Sequence, residues 1–344
     1  MNTVNQKIIR AVIEKADRVC PDSLALIGVY GSVATGDAYE KSDLDLLILI
    51  EDEQGYALAT GFILDDRGVG YDLYCTTRES LRYDAECHHA HLSKLMDSQI
   101  VYVKNQAAYD ELCALREQAS AFLTSDERFQ RVKELVDQAK ICYANACMYD
   151  GIGRVRLEAS GVISYLLDAV MLCHGTYFKR GVKHTFEELA TLPVDPSFVS
   201  TILQIATCKD TDELRALTRS LLLYTEAHVQ EGRSKAEPSG DLAGTYEEMV
   251  SNWRNKVQEA AQNSDPFASF MNLCSLCWML SDIADGVQIG DFDVMADYDP
   301  DDLEGNVKTF DACLRKYEQV YAKAGLKVNR FANVDEFVKG YLGQ

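Results

Sequence analysis

Between Val29 and Ile50 the chain reads Val-Tyr-Gly31-Ser32-Val-Ala-Thr-Gly36-Asp-Ala-Tyr-Glu-Lys-Ser42-Asp43-Leu-Asp45-Leu-Leu-Ile-Leu-Ile. A strand that runs into Gly-Ser and then a short helix exposes backbone N–H groups and a hydroxyl, which together can cradle phosphate oxygens. Gly31 lets that backbone approach a ligand closely. Asp43 and Asp45 are two apart on a predicted strand, so both carboxylates project from one face while Leu44 and Leu46 turn into a core. Such a pair repels itself unless a divalent cation lies between the carboxylates. Oxygen ligands of this kind suit Mg²⁺, which keeps waters and takes further ligands from substrate phosphates. Gly70-Tyr-Asp72-Leu-Tyr74 offers a third carboxylate in mid-strand. Two metals, one on an attacking oxygen and one on a triphosphate, would stabilise in-line displacement at an α-phosphorus. Asp65 and Asp66 are rivals to Asp72, but Asp65-Asp-Arg-Gly68 reads as a turn. A Gly-Ser or an Asp-x-Asp alone is more simply a turn or a solvated strand face. Their occurrence in this order around a very hydrophobic strand favours a phosphate- and metal-binding site.

At these residues the sequence resembles the polymerase β-like nucleotidyltransferase superfamily. Its signature is a hydrophobic residue, Gly-Ser, roughly ten residues, then Asp-h-Asp-h, with a later acidic strand residue. Residues 33 to 42 fill that interval here. The variant G-S-x-A-x-G-x-x-x-x-x-S-D-x-D-L, matched from Gly31 to Leu46, is typical of small bacterial transferases. These include the kanamycin-, streptomycin- and lincosamide-modifying nucleotidyltransferases and the minimal transferases of toxin–antitoxin pairs. Thr35 departs from the pattern, since many members carry Arg there. The resemblance extends to about Asn105 and implies that Gly31 and Ser32 hold the β- and γ-phosphates of ATP or another nucleoside triphosphate. It further implies that Asp43 and Asp45 bind metal, in a two-ion Mg²⁺ site, with Asp72 as third ligand or as the base that takes the acceptor's proton. Ser42 would be a further phosphate or loop-fixing hydroxyl.

The elements that must position these residues show two textures. Asn5 to Val19 predicts a helix with Ile8, Ile9, Val12 and Ile13 on one stripe. Strands are expected at 23–30, 43–51, 70–76 and 99–104. Thr124-Ser-Asp-Glu127 has the form of a capping box, ahead of Val132, Leu135, Val136 and Ala139 at helical spacing. Further helices are expected over 154–174, 197–205, 211–230, 245–262, 266–285 and 302–324. The polar, turn-rich stretch Glu231 to Gly240 predicts a linker. The fold class expected is α+β: a small mixed sheet with flanking helices in a catalytic domain over 1–118, a helical bundle over 119–232, and a further helical region over 241–344.

The helical remainder resembles, in general texture only, the α-helical domain that accompanies antibiotic nucleotidyltransferases. Within it, His174-Gly-Thr-Tyr-Phe-Lys179-Arg180-Gly-Val-Lys183-His184 is conspicuously basic. Lys179, Arg180 or Lys183 is expected to reach the triphosphate, against the plain alternative of a solvated loop. Relatives recruit a Glu from this half, so Glu134 and Glu158 stand beside Asp72 as candidates for the base.

The chain carries 34 Lys and Arg against 54 Asp and Glu, a net charge of −20. Proteins that wrap nucleic acid neutralise phosphates with Lys and Arg, so this balance excludes that class and an anionic membrane surface. It fits a small cationic acceptor, and equally a role in solubility alone. Eleven scattered cysteines match buried thiols of a reducing, cytoplasmic compartment more than disulfides. Cys274 and Cys277 form a lone C-x-x-C in a helical run, expected to be core packing. There is no apolar leader and no run of about eighteen apolar residues, so no membrane span is expected. Cys87-His-His-Ala-His91 holds three of the six histidines, yet adjacent residues cannot all face one ion. Asp297 to Glu304 lacks the glycine and terminal glutamate of a calcium loop and reads as an acidic helix cap. The functional expectation is a Mg²⁺-dependent enzyme moving AMP from ATP to a hydroxyl of a small, aminoglycoside-like molecule and releasing pyrophosphate. The alternatives are a protein-modifying or antitoxin-type transferase, and a nucleotide-binding protein without turnover.

Overall fold

The computed structural model describes residues 3–40, 42–66, 68–231 and 235–342. The chain divides into two compact units, Met1–Arg233 and Ser234–Gln344.

The first unit begins with α1 (Thr3–Val19), which buries Ile9, Val12 and Ala16 along one stripe. There follow β1 (Leu24–Val29), α2 (Gly31–Thr35), β2 (Leu46–Ile50), β3 (Thr60–Leu64), β4 (Val69–Leu73), β5 (Cys75–Thr76), α3 (Arg78–Ala85), α4 (Ser93–Met96) and β6 (Gln99–Val103). Four of these strands make a mixed sheet in the order β5-β2-β1-β6. β1 runs antiparallel to β2 and β6, while β2 and β5 are parallel. Every residue of β1 and β2 is buried, because both faces of the sheet are covered. Leu46, Ile48 and Ile50 pack with α1, whereas Leu47 and Leu49 face the core shared with the helices that follow. This alternation of period two places the segment ahead of β2 at the rim of a rigid sheet.

The helices of this unit are α5 (Gln106–Thr124), α6 (Arg128–Met148), α7 (Ile152–Cys173), α8 (Thr185–Leu189), α9 (Pro196–Thr207) and α10 (Thr211–Glu231). α6, α7 and α10 pack on one another through Val136, Val155, Val162 and Leu221. The second unit contains α11 (Thr245–Met249), a π turn at Val250–Arg254 that continues into α12 (Asn255–Gln262), then α13 (Pro266–Gly286), α14 (Leu303–Lys323) and α15 (Val334–Leu342). Its core is built on Leu273, Leu276, Phe310 and Tyr317. α13 is long and apolar enough to cross a membrane by length and composition, and it buries Leu273, Leu276 and Leu280 in that core.

The α+β class is as expected, and several local expectations are corrected. β2 starts at Leu46, so Asp43 and Asp45 precede the regular strand. The single strand expected over 70–76 is broken at Tyr74: β4 pairs with β3 in a separate antiparallel hairpin, and β5 pairs with β2. Thr124 does not cap α6. It ends α5, and its hydroxyl donates back to the carbonyls of Ser120 and Ala121 at 3.2 and 3.0 Å, which leaves α6 without a side-chain cap. Asp302 does cap α14, accepting from the Gly305 N–H at 2.8 Å. Asp65 and Asp66 lie in the β3–β4 turn, Arg67 of that turn being outside the described residues. Gly232, Arg233 and Ser234 of the expected linker are likewise outside them.

Candidate functional site

Just beyond the end of β1, the Tyr30 N–H donates to the Asp45 carbonyl at 3.1 Å, extending the β1–β2 ladder past both strands. Asp45 is therefore held by backbone as well as by its buried neighbours Leu44 and Leu46. Gly31 opens α2 at φ +64°, a left-handed conformation that glycine adopts without penalty. A Cβ on Gly31 would lie 2.0 Å from Asp45 Oδ2. The carboxylate thus occupies the space that a side chain at position 31 would need. Burial, and after it the charge of Asp43, raises the Asp45 carboxyl to about 6. Asp43 is exposed and Asp45 half-buried, so the two carboxylates form a crowded oxygen donor pair. A divalent cation would relieve that repulsion, and Asp43 and Asp45 are the residues that fit one.

The basic segment folds over α2. Arg180 Nε and Nη2 donate to the two carboxylate oxygens of Asp37, both at 2.8 Å, and Lys183 Nζ donates to the Asp37 carbonyl at 2.8 Å. Arg180 holds the Asp37 carboxyl well below the usual carboxylate range. From the far side, Glu188 accepts the backbone N–H groups of Lys179 and Arg180, each at 2.9 Å. A cleft of about 280 Å³ results, lined by Gly31, Ser32 and Asp45 and by Lys179, Lys183 and His91 among others. The Lys179 ammonium has an aromatic neighbour, the Tyr177 ring at 5.7 Å, and no ion pair among the described residues.

The structure brings together six of the expected residues: Gly31, Ser32, Asp45, Lys179, Arg180 and Lys183. Asp43 stands beside Asp45, outside the lining. Ser42 ties the loop, its Oγ accepting from the Tyr39 N–H at 2.9 Å. Asp72 is exposed on β4 opposite Gly61 and does not line this cleft. Tyr74, two residues on, bonds hydroxyl to hydroxyl with Tyr30 beside Gly31. Glu134 is engaged by Arg131 at 2.8 Å and Glu158 by Asn145 at 3.4 Å, neither lining the cleft. Among the described residues no group of three His, Cys, Asp or Glu side chains is gathered as a metal site. The histidines of the Cys87–His91 segment separate accordingly: His88 faces Glu86, His89 faces Asp84 and His91 faces Asp168. Cys274 has Met295 as its sulfur neighbour at 3.9 Å. The Arg180–Asp37 pair and the cleft-lining His91 were not singled out by spacing. The acid after the second glycine and the basic run were the signals available for the former.

Residues 7–102 match the family model for the nucleotidyltransferase domain. Curated proteins give no match. Among solved structures, a nucleotidyltransferase-like protein from Exiguobacterium sibiricum 255-15 is similar over 66% of this chain and 75% of its own, at 14% identity and a TM-score of 0.32. With its mixed sheet, its Gly31-Ser32 turn and the Asp43-Leu-Asp45 segment, the N-terminal part of the chain is a nucleotidyltransferase domain of the polymerase β-like superfamily.

Proposed function

We propose that the chain is a Mg²⁺-dependent nucleotidyltransferase that moves AMP from ATP onto a hydroxyl of a small molecule and releases pyrophosphate. The observation that carries this reading is the Asp45 carboxylate packed on Gly31 in a cleft that Lys179 and Lys183 also line. A carboxylate and two cations lining one cleft suit a ligand that bears phosphates and a metal at once. In this reading Gly31, Ser32, Lys179 and Lys183 hold the phosphates, and Ser42 fixes the loop before the carboxylates. Asp43 and Asp45 hold the metal, with Asp72 as third ligand or as the base that takes the acceptor's proton. Bound Mg²⁺ would neutralise phosphate charge as the α-phosphorus is attacked.

The net charge of −20 favours a cationic acceptor, as carboxylates attract ammonium groups. All eleven cysteines are free thiols, which suits a reducing compartment such as the cytoplasm. Residues 1–118 serve in this reading as the catalytic domain, 119–232 as the bundle that supplies the basic segment, and 241–344 as a further helical region.

Pyrophosphate release from each nucleoside triphosphate with Mg²⁺, against a panel of hydroxylated polyamines, tests the reading. Release that depends on ATP, Mg²⁺ and a cationic acceptor is the expected result. Label from ATP appearing on a protein band in a lysate would transfer the activity to a protein acceptor. Calorimetric binding of ATP without release would make the chain a nucleotide-binding protein.

A further inference from the structure

His91 reaches the same cleft as Ser32, Asp45 and Lys179, and its ring is fixed from several sides. It stacks on Phe178 with centroids 5.1 Å apart and planes 23° from parallel. Its Nε2 lies 3.7 Å from Asp168 Oδ1. The Phe178 N–H donates to the Ala90 carbonyl at 2.8 Å, and the Ala90 N–H donates to Asp168 Oδ1 at 3.0 Å. The turn that carries His91 is therefore stitched to both α7 and the basic segment.

Asp168 is the unusual member. It is 7% exposed within α7, where Leu166, Ala169 and Val170 are fully buried. Burial lifts its carboxyl above the ordinary range, against the opposing pull of His91 and the Ala90 N–H. An acid in such a place costs stability unless it is partnered, and the imidazole is its ionisable partner on the cleft side. The His91 side chain is itself 59% exposed. Asp168 Oδ1, which accepts the Ala90 N–H, also stands beside the Nε2 edge of the ring and leaves the imidazole at the cleft. His91 shares its lining with Lys179 and Lys183, the phosphate-side cations, and not with Asp43 or Asp72.

We propose that His91, oriented by Asp168, is the proton donor to the departing pyrophosphate. The proposal rests on the reading of the cleft as the place where ATP is cleaved. As the acceptor oxygen bonds to the α-phosphorus, the bond from that phosphorus to the α,β-bridging oxygen breaks. A ring N–H proton of His91 passes to the bridging oxygen, which becomes a terminal oxygen of pyrophosphate. The acceptor's own proton leaves on the opposite side to a carboxylate or water, and the imidazole regains its proton from solvent. His91 would act on the leaving group directly, and Asp168 is a positioning residue.

The test compares AMP transfer from ATP and from its β,γ-difluoromethylene analogue, whose departing bisphosphonate is the weaker base, with Mg²⁺ and with a hydroxylated polyamine as acceptor. His91→Gln should slow the reaction of ATP about a hundredfold and that of the analogue less than about tenfold, with calorimetric ATP affinity and the melting temperature unchanged. Asp168→Asn should show the same split to a smaller extent. Equal slowing of both substrates would assign the residue a structural role and overturn the proposal, as would an unaffected His91→Gln variant; either leaves the transfer reading standing. An unmodified chain that fails to bind ATP, or binds it and transfers no AMP, overturns the transfer reading and the proposal together.

Discussion

The segment ahead of β2 and the strand β4 each present a candidate aspartate, and the fold treats them differently. Asp45 is bonded through its backbone to Tyr30, flanked by two buried leucines and packed on Gly31. Asp72 lies on a two-stranded hairpin whose alternate residues face solvent. The first carboxylate is immobilised and raised to about 6 by burial and by Asp43; the second is exposed and has no such constraint from the sheet. A rigid, partly desolvated carboxylate is poised to bind a cation but is a liability without one. Rigidity at a binding residue is thus obtained at some cost to the stability of the metal-free fold.

The largest expected effect follows from removing the charge at the rigid position. Asp45→Asn should lower AMP formation by on the order of 10²–10³ while raising the melting temperature of metal-free protein; a lowered melting temperature would break the comparison. Asp72→Asn should lower activity by at least about tenfold if the hairpin supplies the third ligand, with stability within about 0.5 kcal/mol of the unaltered chain. A loss under twofold would remove Asp72 from the site.

Next comes Gly31→Ala, which places a methyl group where Asp45 Oδ2 lies and forces a left-handed backbone. A loss of about 1–3 kcal/mol in stability is expected, read by urea unfolding, and it should shrink in the Gly31→Ala/Asp45→Gly pair if the contact is the cause. Lys179→Ala and Lys183→Ala should each weaken ATP binding by about tenfold, the scale of one charge-assisted bond. Unchanged affinity in both would leave the basic segment as a solvated loop.

The smallest effect comes from the same burial physics with the opposite charge sign. His174 and His228 face each other Nε2 to Nε2 at 2.9 Å, and burial, then His228 and Arg128, lower the His174 pKa from 6.5. Its stability contribution is therefore complete above pH 6.5 and drains as the pH falls through that value toward the folded-state pKa. Melting temperatures should decline below that point, and His174→Gln should flatten the decline.

The parts of the site legible in the sequence were those whose cause is local. Gly31, Ser32, Asp43 and Asp45 announce themselves because a turn, a strand face and a hydrophobic run adjoin within one segment. The break at Tyr74 was invisible because it depends on a change of partner: Leu73 pairs with Thr60, whereas Cys75 pairs with Ile48. β3 was missed because Thr60-Gly-Phe-Ile-Leu is short and half-exposed. Thr124 matched a capping pattern, but the preceding helix claimed its hydroxyl first. His91 could be seen only as one of a cluster, since Phe178 and Asp168 lie far along the chain. The Asp37–Arg180 pair is hidden for the same reason.

The contacts of Asp37 with Arg180 and of Ala90 with Phe178 also bear on connectivity. They join segments that line the cleft across a long intervening stretch of chain, so these segments are fastened to each other independently of the covalent path between them. The turn at Asp150 and Gly151 is exposed and lies between α6 and α7, which pack along their lengths. A backbone cut at that turn would open the polypeptide without opening the cleft, and the two fragments, co-expressed, should reassemble around it.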